Sequence, residues 1–145
     1  MRNFKIILLL IAVPLFFIAP ACEKAIEDPV SCYKLSIKKE GEVLVLTGPF
    51  TVDAGRSIQF ENCGKADFYA FFSGTPGHVW GDFNNPSDTE TVGVDTKSDG
   101  SIDYTYSTPG QYTATMVLTN REAKNASNSR QVALDFVITV TEAEE

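Results

Sequence analysis

Few side chains in this chain could do chemistry. It has one histidine, His78, and three cysteines, Cys22, Cys32 and Cys63. A Ser-His-Asp or Cys-His arrangement would have to use His78 as its only base, and no cysteine is well placed as its nucleophile. Transition-metal sites gather several His or Cys at tight spacing, and the sequence has no such cluster. Asp95, Asp99, Gly100 and Asp103 invite comparison with a calcium loop. An EF-hand would need an oxygen ligand where Lys97 stands and a glutamate where Tyr106 stands, so the segment reads as a turn. The expectation is a protein that is not an enzyme and needs no cofactor.

Chemistry of another kind is concentrated in residues 67–83, DFYAFFSGTPGHVWGDF. The single Trp and single His stand two apart there, just after a Gly-Thr-Pro-Gly turn. A strand through DFYAFFS puts Phe68, Ala70 and Phe72 on one face and Tyr69 and Phe71 on the other. Only one set can fill a core. Three readings are open. Trp80 and Phe83 cover the outward rings as a small secondary core. Alternatively, Tyr69, Phe72, His78, Trp80 and Phe83 leave a flat ring exposed beside Asp82, Asn84 and Asn85. Sugar C–H groups stack on such a ring while amides and acids take hydroxyl hydrogen bonds. The third reading is an aromatic contact with another protein. The candidate ligand-binding residues are Tyr69, Phe72, His78, Trp80, Phe83 and Asn84.

The amino terminus gives an address. Arg2 and Lys5 precede IILLLIAVPLFFI, a charge-free run too short to cross a bilayer comfortably. A basic start, a short apolar run and a small-residue exit describe a secretory signal over residues 1–21. The exit, Ala19-Pro20-Ala21-Cys22, resembles the looser lipobox of Bacteroidetes-type lipoproteins, in which the Cys22 thiol is diacylated and the chain is cut before it. The alternative is an ordinary cleaved signal with an incidental cysteine. Multiple acyl chains anchor a protein stably. The expected location is the outer membrane, at the cell surface or on its periplasmic face, with the membrane as one partner. Residues 22–30 then form a polar, lipidated tether and residues 31–145 a single domain. Losing the leader removes Arg2 and Lys5 and no acid, taking the formal charge from −7 to about −9. So acidic a chain repels phosphate backbones, which argues against nucleic acid as a partner.

With Cys22 lipidated, Cys32 and Cys63 are left as a pair in a disulfide-permissive compartment. Both fall out of phase with the apolar residues beside them, Tyr33, Leu35 and Ile37 in one segment and Ile58 and Phe60 in the other. Either they meet beyond the strand ends as a bridge, or they are two structural thiols.

The elements that must position these residues are strands. From residue 31 onward the period is two, with expected strands at 33–38, 43–46, 57–61, 67–72, 91–94, 102–106, 111–120 and 131–140. Turn formers separate them, and no window of the mature chain shows a capped helical period. Seven or eight short strands in about 110 residues predict an all-β, antiparallel β-sandwich.

The second half also resembles a known family. DYTYSTPGQYTATMVLTN, followed by a final strand ending ITV, resembles the tail of PKD-type immunoglobulin-like domains. The matching positions are Thr105, Tyr106, Pro109, Gly110, Tyr112, Val117, Thr119, Asn120, Ile138 and Val140, and DAGRSIQFEN is similar to the family's front. The resemblance spans residues 50–141 and implies an immunoglobulin-like sandwich with Tyr112 as a tyrosine corner. It departs where the family carries acids, at Ala70 and Ser73, so a calcium role there is not implied. FYAFFSGTPGHVW is similar to a signature of PKD-like modules in Bacteroidetes surface lipoproteins, often encoded beside glycan-uptake systems. That resemblance implies a membrane-anchored module for polysaccharide binding. A structural or adaptor module docking an outer-membrane protein complex is the alternative.

Overall fold

The structure, a computed structural model, describes residues 25–39, 41–81, 93–122 and 127–143. Alternating side chains dictate its elements. They are β1 (Tyr33–Lys39), β2 (Glu42–Leu46), β3 (Phe50–Asp53), β4 (Ser57–Asn62), β5 (Phe68–Phe72), β6 (Ile102–Thr105), β7 (Gly110–Arg121) and β8 (Ser129–Thr141). They form two four-stranded sheets, β2-β1-β4-β6 and β3-β8-β7-β5. Every second residue turns inward. Leu35, Ile37, Ile58, Phe60 and Ile102 from one sheet meet Val52, Phe71, Ala114, Met116, Leu118, Ile138 and Val140 from the other.

Aromatic rings run through this core as one connected string. Phe50 and Tyr33 meet Phe136 edge-on at 6.1 and 6.3 Å. Phe136 touches Phe60, Phe60 touches Phe71 and Phe71 touches Tyr104, at 5.8, 4.9 and 5.3 Å. Tyr104, Tyr106 and Tyr112 continue it at 4.9 and 4.6 Å. Such pairs add to the stabilisation that burial alone gives.

The sandwich is not wholly antiparallel. β3 pairs parallel to β8, with Phe50 opposite Ile138 and Val52 opposite Val140. The sequence pattern predicts no strand between 46 and 57, where turn formers stand. The chain instead forms one more short strand after Gly48-Pro49, because Phe50 and Val52 bring two inward side chains to the free edge of β8. At 91–94, what is described is a single bridge, Val94 N–H to Phe71 C=O at 2.7 Å.

Two poles follow from the strand directions. At one, Cys32 and Cys63 are disulfide-bonded, with Cα atoms 4.9 Å apart. They sit one step beyond the last registered pair of β1 and β4, Tyr33 and Asn62, where the Cys63 N–H still reaches the Cys32 carbonyl at 2.9 Å. This explains cysteines out of phase with the core. Asn62 binds the distant turn at 99–101, donating to the Asp99 carbonyl at 2.6 Å while its N–H meets Ser101 Oγ at 3.0 Å. Tyr33 donates to the Gly100 carbonyl at 2.9 Å, and burial, then Tyr69 and Asp99, push its hydroxyl well above the ordinary tyrosine range.

The described part of the tether, 25–30, is held to this same pole. Val30 and Lys65 exchange backbone hydrogen bonds at 2.9 and 2.8 Å, and Asn120 donates to the Glu27 carbonyl at 3.0 Å. Pro29 is buried. Polar composition suggested a free linker, but backbone pairing is indifferent to side-chain polarity. Gly64 permits it: a Cβ there would overlap the Val30 carbonyl oxygen. Cys22 and the signal segment lie outside the described residues.

At the opposite pole, the 53–55 turn, the end of β8 and the start of β7 come together. Ala54 N–H binds the Thr141 carbonyl and Gly55 N–H the Tyr106 carbonyl, both at 2.8 Å. Tyr112 donates to the Thr108 carbonyl at 2.8 Å, closing the Thr108-Pro109-Gly110 turn.

Candidate functional site

The aromatic corner lies at this second pole. β5 is an edge strand registered on β7, with Tyr69 opposite Leu118 and Phe71 opposite Met116. Those two residues therefore face the core, and Phe68, Ala70 and Phe72 face outward. Phe71 is fully buried and Phe72 nearly so. The chain leaves β5 through Ser73, buried as well, whose carbonyl accepts the Tyr106 hydroxyl at 2.8 Å. Burial, then Tyr104 and Tyr112, raise the Tyr106 hydroxyl well above the ordinary tyrosine range, so it stays a neutral donor.

Ser73 then shapes a tight turn. Its Oγ lies 2.7 Å from Thr75 Oγ1 and 3.3 Å from the Thr75 nitrogen. Gly74 N–H donates to the His78 carbonyl at 2.9 Å, and His78 N–H to the Thr75 carbonyl at 2.8 Å. Gly74 has φ +79° and packs so closely on Thr113 that a Cβ would overlap its backbone. The Ser-Gly-Thr-Pro-Gly-His run is thus a hydrogen-bonded corner clamped onto β7.

Trp80 returns over the outer face of β5. Its ring meets Phe72 at 4.9 Å, inclined by 52°. A Cβ on Gly93 would lie 3.5 Å from the Phe72 ring and 3.6 Å from Ala70, so backbone also covers this face. Phe72 is therefore closed over, while Trp80 and His78 remain half-buried. Of the six candidate ligand-binding residues, the structure brings Phe72, His78 and Trp80 to one corner. Tyr69 is not with them. Strand alternation turns it inward, where its hydroxyl accepts the Ala66 N–H at 2.8 Å and its ring abuts Gly100 at the other pole. Phe83, Asn84 and their neighbours Asp82 and Asn85 lie outside the described residues.

The acidic turn holds its charges apart. Lys97 Nζ pairs with Asp103 at 2.8 Å, and Asp99 Oδ1 accepts the Ser101 N–H at 2.9 Å. Among the described residues no three His, Cys, Asp or Glu side chains gather as a metal site.

Two surface features had no clear sequence signal. Arg121 places its guanidinium 4.9 Å over the exposed Phe68 ring, a cross-strand contact between residues 53 positions apart. β2 carries the other. Its residues Val43, Leu44 and Val45 are 58, 42 and 66% exposed, on a sheet edge that pairs with no further strand among the described residues. Alternation alone reads this segment as an ordinary half-buried strand.

Comparison with known proteins finds no match: no family model, curated protein or solved structure is similar to this chain.

Proposed function

We propose that this chain is a non-catalytic lipoprotein, anchored through Cys22 at the outer membrane, whose immunoglobulin-like sandwich of PKD type binds polysaccharide in a glycan-uptake system. The observation that carries the reading is the seat of Trp80. Its ring leans on a buried Phe72, is half-exposed, and stands beside a turn closed by its own hydrogen bonds. A ring held in place this way loses little freedom on stacking against a sugar, which favours binding. The Tyr112 hydroxyl bonded to Thr108 supports the immunoglobulin-like type. Affinity gels and a glycan array test it with the full chain and Trp80→Ala. Retention by at least one polysaccharide is expected, at millimolar to micromolar affinity, and is lost in the variant while its far-ultraviolet spectrum is kept. No retention on any polysaccharide ends the reading.

The exposed β2 edge favours a second reading, an adaptor that adds a strand of a partner protein to its own sheet. Its mark is co-purification with an outer-membrane complex that Val45→Lys abolishes and Trp80→Ala leaves intact.

A further inference from the structure

We infer that the tether pole of the sandwich rests on the lipid surface, so that the Trp80 corner is the part held farthest from the membrane. The inference builds on the lipid-anchor reading of Cys22 and adds to it an orientation and a contact surface. Its basis is the length of chain left over. Residues 27–30 belong to the sandwich: Val30 is paired with Lys65, Glu27 is bound by Asn120, and Arg130 lies 3.9 Å from Asp28. Only residues 22–26 separate an acylated thiol from that docked segment. Fully extended, that stretch reaches about 17 Å. A domain held so closely cannot turn its tether pole away from the bilayer.

The surface of that pole suits the contact. Val30 is 61% exposed and Phe68 53% exposed, with the Arg121 guanidinium lying over the Phe68 ring. An aromatic ring at headgroup depth beside a cation that reaches phosphate is the arrangement found at membrane interfaces. Lys65 and Arg130 are exposed at the same pole. Three of its acids have partners within the protein: Asp28 faces Arg130, Asp67 accepts the Arg121 N–H at 3.0 Å, and Glu122 accepts Asn128 at 3.0 Å. One side chain joins tether to pole, since Asn120 Oδ1 also accepts the Asp67 N–H at 3.0 Å. Phe68 and Ser73 are the length of β5 apart, about 17 Å, and that length carries Trp80 away from the lipid.

The test uses the full chain, processed in a bacterial host and reconstituted in phosphatidylethanolamine–phosphatidylglycerol vesicles containing a headgroup-region spin-labelled lipid. Trp80 is the native reporter, and Phe68→Trp combined with Trp80→Phe moves the single indole to the other pole. The relocated indole is expected to be quenched at least twofold more than Trp80. Adding Asn120→Ala, which frees Glu27, reduces that difference. Equal quenching of the two reporters, or stronger quenching of Trp80, overturns the orientation while leaving the anchor intact. A Cys22 whose mass shows no diacylglycerol overturns the anchor, and the orientation with it.

Discussion

The Tyr106–Ser73 hydrogen bond ties the aromatic corner to the core, and removing it gives a measurable result. Tyr106→Phe deletes only the hydroxyl. The ring keeps its neighbours Tyr104 and Tyr112 at 4.9 and 4.6 Å, so apolar burial is unchanged. What is lost is a 2.8 Å bond to a carbonyl whose residue is fully buried. A buried acceptor deprived of its donor costs about 1–3 kcal/mol. For a domain of this size that is a fall in Tm of about 4–12 °C. The effect should also be local. Ser73 begins the turn that leads to Trp80, so acrylamide quenching of Trp80 in the folded state should increase. Tyr112→Phe is the control. It loses an equally short bond, but to Thr108, which is exposed and can turn to water, so about 0.5–1.5 kcal/mol is expected, with Trp80 unaffected. Urea titrations with Trp80 emission measure both quantities. If Tyr106→Phe is as stable as the parent, or leaves Trp80 quenching unchanged, the bond does not hold the corner.

The disulfide closes a loop whose ends are 31 positions apart, so Cys32→Ser with Cys63→Ser should cost about 3–4 kcal/mol in urea titrations, and a loss near zero would count against the bridge. Gly64→Ala sets a Cβ against the Val30 backbone and should cost about 1–3 kcal/mol while making the tether newly sensitive to protease; an unchanged digestion pattern would contradict tether docking. Tyr33 and Tyr106 hold their protons more tightly folded than unfolded. Their contribution is therefore complete below the unfolded tyrosine pKa of about 10 and is lost as pH rises beyond it. Stability should fall in alkaline buffer, and less steeply in the Tyr33→Phe, Tyr106→Phe pair; parallel profiles would refute this.

The sheets were legible because burial imposes alternation. Ile58 and Phe60, Ala114 to Leu118, and Leu134 to Val140 announce their inward faces with no knowledge of partners. β3 was not legible, since four residues ending in Asp53-Ala54-Gly55 look like turn chemistry. What makes them a strand is the free edge of β8, 88 positions away at the Val52–Val140 pair. The tether failed for a related reason. Its pairing with Lys65 is made by backbone atoms, which every residue carries, and the one sequence trace of it is Gly64, where any side chain would collide.

The corner was legible in part, and the split is physical. Strand alternation separates Tyr69 from Phe72 once one inward residue is known, but alternation alone does not choose the inward set; only the family resemblance favours Tyr69 and Phe71. The register of Phe71 on Met116 decides it, and sends Tyr69 to the opposite side of the sheet from Trp80. An outward Phe72 next to water would then be costly, by about 1.5–3 kcal/mol for a large apolar side chain. Trp80 and the backbone at Gly93 remove that cost by covering it. The same covering fixes Trp80 in place. A secondary core and a binding platform are therefore not exclusive states of this corner: the contact that buries Phe72 is the one that would hold the indole still for a ligand. Whether the corner binds as well as covers Phe72 is what the polysaccharide retention of Trp80→Ala reads directly.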